Sequence, residues 1–135
     1  MRLLVFGGRN YRHILWMREQ FQFFQQRHGP ITILIHGGAP GADSMADMLA
    51  HTDLRCSIWE FPAKWDDVTA SGAVIKYNKA GKPYNILAGH WRNQSMLEIA
   101  KPQWAMGFAG GSGTADMLGR LDNACIPVWD AGCRA

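Results

Sequence analysis

The sequence predicts a doubly wound α/β domain: a mainly parallel sheet of about five strands with helices on both faces. Three observations carry this reading. Short apolar runs alternate with longer helix-patterned segments along the whole chain. Three of those runs, Leu3–Phe6, Ile31–Ile35 and Trp104–Phe108, end in glycine-rich turns that hand over to a helix. The run Ile31-Thr32-Ile33-Leu34-Ile35 is β-branched and almost continuously apolar, as a parallel strand covered on both faces requires.

Leu3–Phe6 is the first strand, stopped by Gly7. Tyr11 to Arg27 is a helix with an apolar stripe that includes Ile14, Leu15, Met17, Phe21 and Phe24, closed by His28-Gly29-Pro30. Ile31–Ile35 is the second strand. After His36-Gly37-Gly38 a helix runs from about Ala42 to His51, and Arg55–Phe61 is the third strand, ended by Pro62. Ala63–Pro83 is polar, carries Gly72 and Gly81, and reads as an irregular excursion or lid. Asn85–Ala100 is helical and stops before Pro102. Gln103–Phe108, Thr114–Asn123 and Ile126–Trp129 complete the order as strand, helix and closing strand. Connections of this length allow the crossovers that parallel strands need.

A chain of 135 residues fits one domain, spanning residues 1–135, and buries a core of useful size. The net charge of +3, from 14 basic and 11 acidic residues, is too mild and too dispersed to argue for nucleic-acid binding. Three cysteines (Cys56, Cys125 and Cys133) without CxxC spacing argue against a disulfide framework or a zinc site. Cys56 and Cys125 are expected as small core residues, and Cys133 as a free thiol near the C-terminus. No signal peptide is visible, because Met1–Phe6 runs straight into Gly7. No apolar stretch approaches the ~20 residues that span a bilayer. The expectation is a cytoplasmic protein with no membrane partner, no metal and no resident cofactor.

The candidate chemistry sits in the turns. Glycines let backbone N–H groups approach an anion, and a following helix N-terminus adds its positive dipole end. Gly110-Gly111-Ser112-Gly113-Thr114 follows a strand and opens a helix; its glycines serve either a phosphate or merely a tight turn with Thr114 as the helix cap. It lacks the Gly-Lys-Ser/Thr ending of a Walker loop, and Gly7-Gly8-Arg9 stands where a GxGxxG fingerprint would. Arg9 either clamps a phosphate or pairs with a surface acid. In Gly37-Gly38-Ala39-Pro40-Gly41-Ala42-Asp43, Asp43 caps its helix or holds a ribose hydroxyl. Arg92 and Asn93 follow Gly89 near a helix start, where an arginine opposes the dipole and so calls for an anionic partner. His36 and His90 flank such turns and are expected to be structural. Trp59, Trp91, Trp104 and Trp129 are expected in the core, while Trp65, Tyr77 and Tyr84 lie in the excursion, free to stack on a base.

Taken together, Gly7-Gly8-Arg9-x-Tyr11, His36-Gly37-Gly38-Ala39-x-Gly41-Ala42-Asp43, Ala88-Gly89-x-x-Arg92-Asn93-x-x-Met96 and Gly110-Gly111-x-Gly113-Thr114 resemble the SLOG superfamily, in its YspA/YpsA-like branch, over about Met1 to Val128. The resemblance implies a Rossmann-like fold and a pocket for a nucleotide or nucleotide-derived ligand, such as a nucleoside phosphate or an ADP-ribose relative. The pocket would be formed by the first, second and fourth glycine turns with Arg92 reaching in. It also implies homo-oligomers, and the aromatic first helix (Phe21, Phe23, Phe24) has apolar surface to spare for a dimer contact. Two other activities occur in the superfamily: phosphoribohydrolysis of nucleoside 5′-monophosphates, in the LOG enzymes, and single-stranded DNA binding, in proteins of the DprA type. The LOG loop reads Pro-Gly-Gly-x-Gly-Thr-x-x-Glu; here Ala109 replaces the proline and Met117 the glutamate. Cleavage would then fall to Arg92 with Asp43 or Asp116, of which Asp116, one position before the glutamate's place and so about 100° around the helix, is the poorer substitute. DNA binding is disfavoured by the absence of a basic stripe.

Overall fold

The computed structural model describes residues 1–134. Seven strands and four helices follow in the order β1 (Arg2–Phe6), α1 (Ile14–His28), β2 (Ile33–His36), α2 (Ala42–Leu49), β3 (Ser57–Glu60), β4 (Ile75–Tyr77), β5 (Pro83–Asn85), α3 (Ala88–Ser95), β6 (Trp104–Gly107), α4 (Ser112–Asn123) and β7 (Val128–Asp130). Five strands form one wholly parallel sheet in the order β3-β2-β1-β6-β7. The chain builds outward from β1 to β3, then returns to β6 on the other side of β1. The strand order therefore reverses between β1 and β6, and a doubly wound sheet opens a crevice at its C-terminal edge at such a point.

Alternation along β1 explains the two-sided core. Leu3 and Val5 join Met17, Phe21, Phe24, Leu34, Leu49 and Phe108 on the face covered by α1 and α2. Leu4 and Phe6 join Ile35, Met96, Leu97, Met117 and Leu121 on the face covered by α3 and α4. Each large apolar side chain buried in this way contributes about 1.5–3 kcal/mol. Phe21 and Phe24 are committed to this core, so the surplus expected on α1 reduces to Phe23, with Leu15 and Trp16 also exposed. Trp59 and Trp91 are likewise partly exposed rather than core residues. Cys125 is exposed and takes a positive φ at the end of α4, so it is not a core thiol, and Cys133 is partly buried against Gly107.

Two helix starts fall three residues later than expected, and one segment has unexpected structure. The excursion is not irregular throughout: β4 and β5 pair as an antiparallel hairpin, with Ile75 opposite Asn85. Asn85 therefore ends a strand, and α3 starts only at Ala88. α1 starts at Ile14 instead of Tyr11, whose ring is buried against Phe108 and whose hydroxyl donates to the His13 carbonyl. α2 and α3 each run on into a wider turn, Ala50–Leu54 and Met96–Ala100, closed by Arg55 and Lys101 in the left-handed conformation. A basic residue at a helix C-terminus suits the dipole there. No described helix is long and apolar enough to cross a membrane.

The strand-end loops meet backbone to backbone, which is what their glycines are for. Gly41 has φ +83°, and a Cβ there would run into the carbonyls of Gly8 and Arg9. Gly81, in the hairpin turn, has φ +78° with open space around it. Gly81→Ala is expected to cost about 1 kcal/mol, from backbone strain alone. Gly41→Ala is expected to cost about 3 kcal/mol or more, since strain and collision add. Urea denaturation of the two variants measures the difference, and equal losses would show that the loop junction yields to a side chain at Gly41.

Candidate functional site

The crevice at the strand-order reversal is a cleft of about 400 Å³. Of the residues expected at a site, Gly7, Gly8, Arg9, Gly37, Asp43, Arg92, Asn93, Gly111, Ser112, Gly113 and Thr114 line it. Gly38, Gly41 and Gly110 stand behind it: Gly38 packs on the Glu60 carboxylate, Gly41 under Gly8, and Gly110 against Gly8 and Thr114.

The glycine N–H groups at Gly8, Gly37 and Gly38 in the first two turns are engaged within the protein. The Gly8 N–H donates to the Ala109 carbonyl (2.9 Å), and the Gly8 carbonyl accepts from Ala42 N–H (3.1 Å) and Tyr11 N–H (3.3 Å). The Gly8 N–H is thus not available to a ligand. A Cβ on Gly7 would meet Ala42 at 2.7 Å. The fourth turn differs. α4 begins at Ser112, its N-cap position is Gly111, and no side chain caps it, so Thr114 is not the cap. The N–H groups of the first turn of a helix have no partner within it. Here they open at the cleft wall formed by Gly111, Ser112, Gly113 and Thr114.

Asp43 is buried, and its Oδ2 accepts from Gly37 N–H and Ala39 N–H, both at 3.2 Å. The carboxylate folds back onto its own loop and does not cap α2. Burial pushes its pKa above the ordinary carboxylate value; the Ala39 N–H bond and the nearby Arg92 charge oppose this without cancelling it.

Arg92 is the fifth residue of α3, beyond the first turn, so the expected conflict with the helix dipole does not arise. Its Nη1 donates to the Gly37 carbonyl (2.5 Å) and the Phe61 carbonyl (3.4 Å), and its Nε to Asn93 Oδ1 (3.0 Å). Among the described residues no carboxylate forms an ion pair with Arg92; its donors go to two neutral strand-end carbonyls, and Asp43 acts on it through its charge. Burial pulls the guanidinium pKa below its ordinary value, with Asp43 opposing and Arg9 reinforcing the shift. Asn93 is consumed within the protein: its Nδ2 donates to Asp116 Oδ2 (3.0 Å) and Gly113 O (3.4 Å). Asp116 does not line the cleft. Burial alone would raise its pKa, but hydrogen bonds from Arg120 (2.8 Å) and Asn93 outweigh burial and hold it below the usual range.

Arg9 is exposed at the rim and forms no ion pair among the described residues, so the surface-acid role does not apply. His36 is structural as expected: its Nδ1 accepts from Gly38 N–H (2.9 Å), which places the ring proton at Nε2 facing Asp47 (2.7 Å). His90 lines the cleft, as do Asn10, Trp65, Ile86, Met96 and Met117. Sequence reading did not assign Asn10, Ile86 or Met96 to a site, and it took His90 as structural. Met117 lines the cleft where the LOG pattern has its glutamate, so that position presents a thioether and not an acid. Asp43 is then the only carboxylate among the lining residues. Among the described residues no cluster of three or more His, Cys, Asp or Glu side chains is placed to hold a metal ion.

The fold defines a class, a Rossmann-like α/β domain with its cleft at the strand-order reversal. MurG from Acinetobacter baumannii shares this fold, with a TM-score of 0.55 at 13% identity over 96% of this chain. The chain spans 34% of the length of that protein, so the likeness covers about a third of it. No protein-family model and no curated protein matches the sequence.

The raised Asp43 pKa has a definite pH consequence. Between the unfolded carboxylate value and the raised folded one, the native state holds more protons than the unfolded state, so this residue's contribution to stability falls as pH rises through that window. An asparagine in its place would keep an oxygen to accept both N–H bonds and would not titrate. The stability of Asp43→Asn relative to wild type is therefore expected to improve from pH 4 to pH 7 in parallel urea titrations. A difference that stays flat, or reverses, would mean that Asp43 is ionised at no cost.

Proposed function

We propose that this protein binds a nucleotide or nucleotide-derived ligand, with a phosphate at the N-terminus of α4, and that it belongs with the SLOG-like proteins that its motifs resemble. One observation carries the reading. Gly111 and Gly113 line the cleft, neither has a positive φ, and a Cβ on either would meet nothing within 4 Å. No neighbouring atom requires either glycine, and Gly113, the second residue of α4, costs up to about 1 kcal/mol relative to alanine. Bare backbone at an uncapped helix start suits the close approach of an anion. Arg9 at the rim and Arg92 at the wall supply the positive charge, and the partly apolar lining from Ile86, Met96 and Met117 suits a base or sugar face.

Binding is favoured over turnover. Cleavage of an N-glycosidic bond needs a proton donor or a base beside the sugar, and Met117 supplies neither. Asp43 alone carries that reading, because a buried carboxyl with a raised pKa beside a cleft is the kind of group that catalysis uses. Its oxygen is already committed to two backbone N–H groups.

Glycine substitutions separate site from scaffold. Gly113→Ala and Gly119→Ala both replace α4 glycines that have open space around them. Each is expected to stabilise the free protein by about 0.4–1 kcal/mol. Gly113→Ala is expected to weaken nucleotide binding about tenfold, read as a smaller thermal shift across AMP, ADP, cyclic AMP and ADP-ribose, while Gly119→Ala keeps the wild-type shift. No shift with any of these ligands in the wild type would overturn the proposal.

A further inference from the structure

The cleft does not end at its rim. Arg9 and Trp65 also line a second compartment of about 360 Å³ on the outer side, shared with the β4–β5 hairpin. Tyr84, Lys82 and Asp66 also line it. The hairpin is held in place. The Asn85 N–H donates to the Trp65 carbonyl (2.8 Å) and Ile86 N–H to the Val74 carbonyl (2.9 Å). In its turn, Asn78 Oδ1 accepts from the N–H groups of Ala80 and Lys82, both at 3.0 Å. Trp65 in turn rests on α3 at Gly89, where a Cβ would come within 3.0 Å of the ring. The second compartment is therefore built from anchored parts, lined by two aromatic rings, Trp65 and Tyr84, and by Arg9, which it shares with the cleft.

This inference rests on the proposed nucleotide site and extends it. We propose that the ligand carries two ring systems joined through an anionic phosphate linkage: one ring-bearing half occupies the cleft, the linkage crosses at Arg9, and the second ring lies in the hairpin compartment against Trp65 and Tyr84. The chemistry is complementary at each point. Arg9 forms no ion pair among the described residues and stands where the two compartments meet. A guanidinium suits a phosphate through its planar fork. Trp65 and Tyr84 offer π faces, which take any base without reading its edge. Lys82, whose partner Asp66 lies 3.6 Å away on an exposed surface, adds charge beside that ring.

Titration calorimetry with AMP and with diadenosine diphosphate tests this, the two probes sharing one ring and differing in the second half. Wild type is expected to bind the dinucleotide at least tenfold more tightly, the order that one aromatic stack gives. Tyr84→Ala and Arg9→Ala are expected to bring the ratio of the two affinities towards one, and Tyr84→Phe to preserve it, which guards against a variant that fails to fold. Equal affinities in wild type, or a ratio unmoved in Tyr84→Ala, would overturn the second subsite and leave mononucleotide binding standing. Binding of neither probe would overturn the nucleotide reading itself, and this inference with it.

Discussion

The peptide unit of Gly8 is the joint on which the cleft-facing edge of the sheet depends. Its N–H is held by Ala109 at the end of β6, and its carbonyl takes the first N–H of α2 and that of Tyr11. Three strand-end connections therefore meet at one residue. Each bond contributes only about 1 kcal/mol net. Their value is geometric, because they set how far apart β1, β2 and β6 place their loops. A side chain at Gly7, Gly8, Gly41 or Gly110 would force the loops apart, since each would find a neighbouring atom at 3.0 Å or less. The cleft has the width it has because these positions have no Cβ.

The same joint explains how much of the molecule the sequence reveals. The parallel sheet was legible because β-strand runs such as Ile33–His36 are buried on both faces and so lack polar alternation. The strand-to-helix glycine turns were legible because each follows such a run. What each glycine does was not. Gly8 and Gly113 look alike in sequence; one gives its N–H to Ala109 and the other lies at an open helix start. Partner identity is a tertiary fact, and no local pattern encodes it. Arg92 makes the same point. Its place in the motif was clear, but Gly37 and Phe61 lie 55 and 31 residues away in sequence, and their carbonyls take up its charge. The β4–β5 hairpin was missed for a different reason. Its strands are three residues long, β4 is wholly exposed, and β5 buries a polar residue, Asn85, so neither length nor hydrophobic alternation marks them.

Arg92 and Asp43 give the cleft a polar floor that is costly to hold without a ligand. Both are substantially buried, and burial works against the charged form of each. The protein offsets this through backbone: Asp43 takes two N–H groups from the loop 37–39, and Arg92 gives to the carbonyl of Gly37 in the same loop. That short loop thus lies between opposite charges, and its peptide dipoles face both. An anion arriving at α4 would strengthen the case for Arg92 and weaken that for an ionised Asp43. If an anion binds at α4 as proposed, its binding would be coupled to proton uptake by Asp43, and by reciprocity a protonated Asp43 would favour the anion.

The glycines of this chain accordingly fall into two physical groups, and the division supports the proposed site. Those at the joint are required by contact with other backbone, and the folded protein enforces them. No neighbouring atom crowds a Cβ at Gly111 or Gly113, and Gly113, in the regular backbone of α4, costs stability where it stands. A position that weakens the free protein without serving its packing is either neutral drift or a place kept open for something that approaches closely. The two positions flank Ser112 at an uncapped helix start, on the wall of a cleft that also holds two arginines. That coincidence of open backbone, free dipole and positive charge is the arrangement an anionic group needs, and the rest of the fold serves to hold it there.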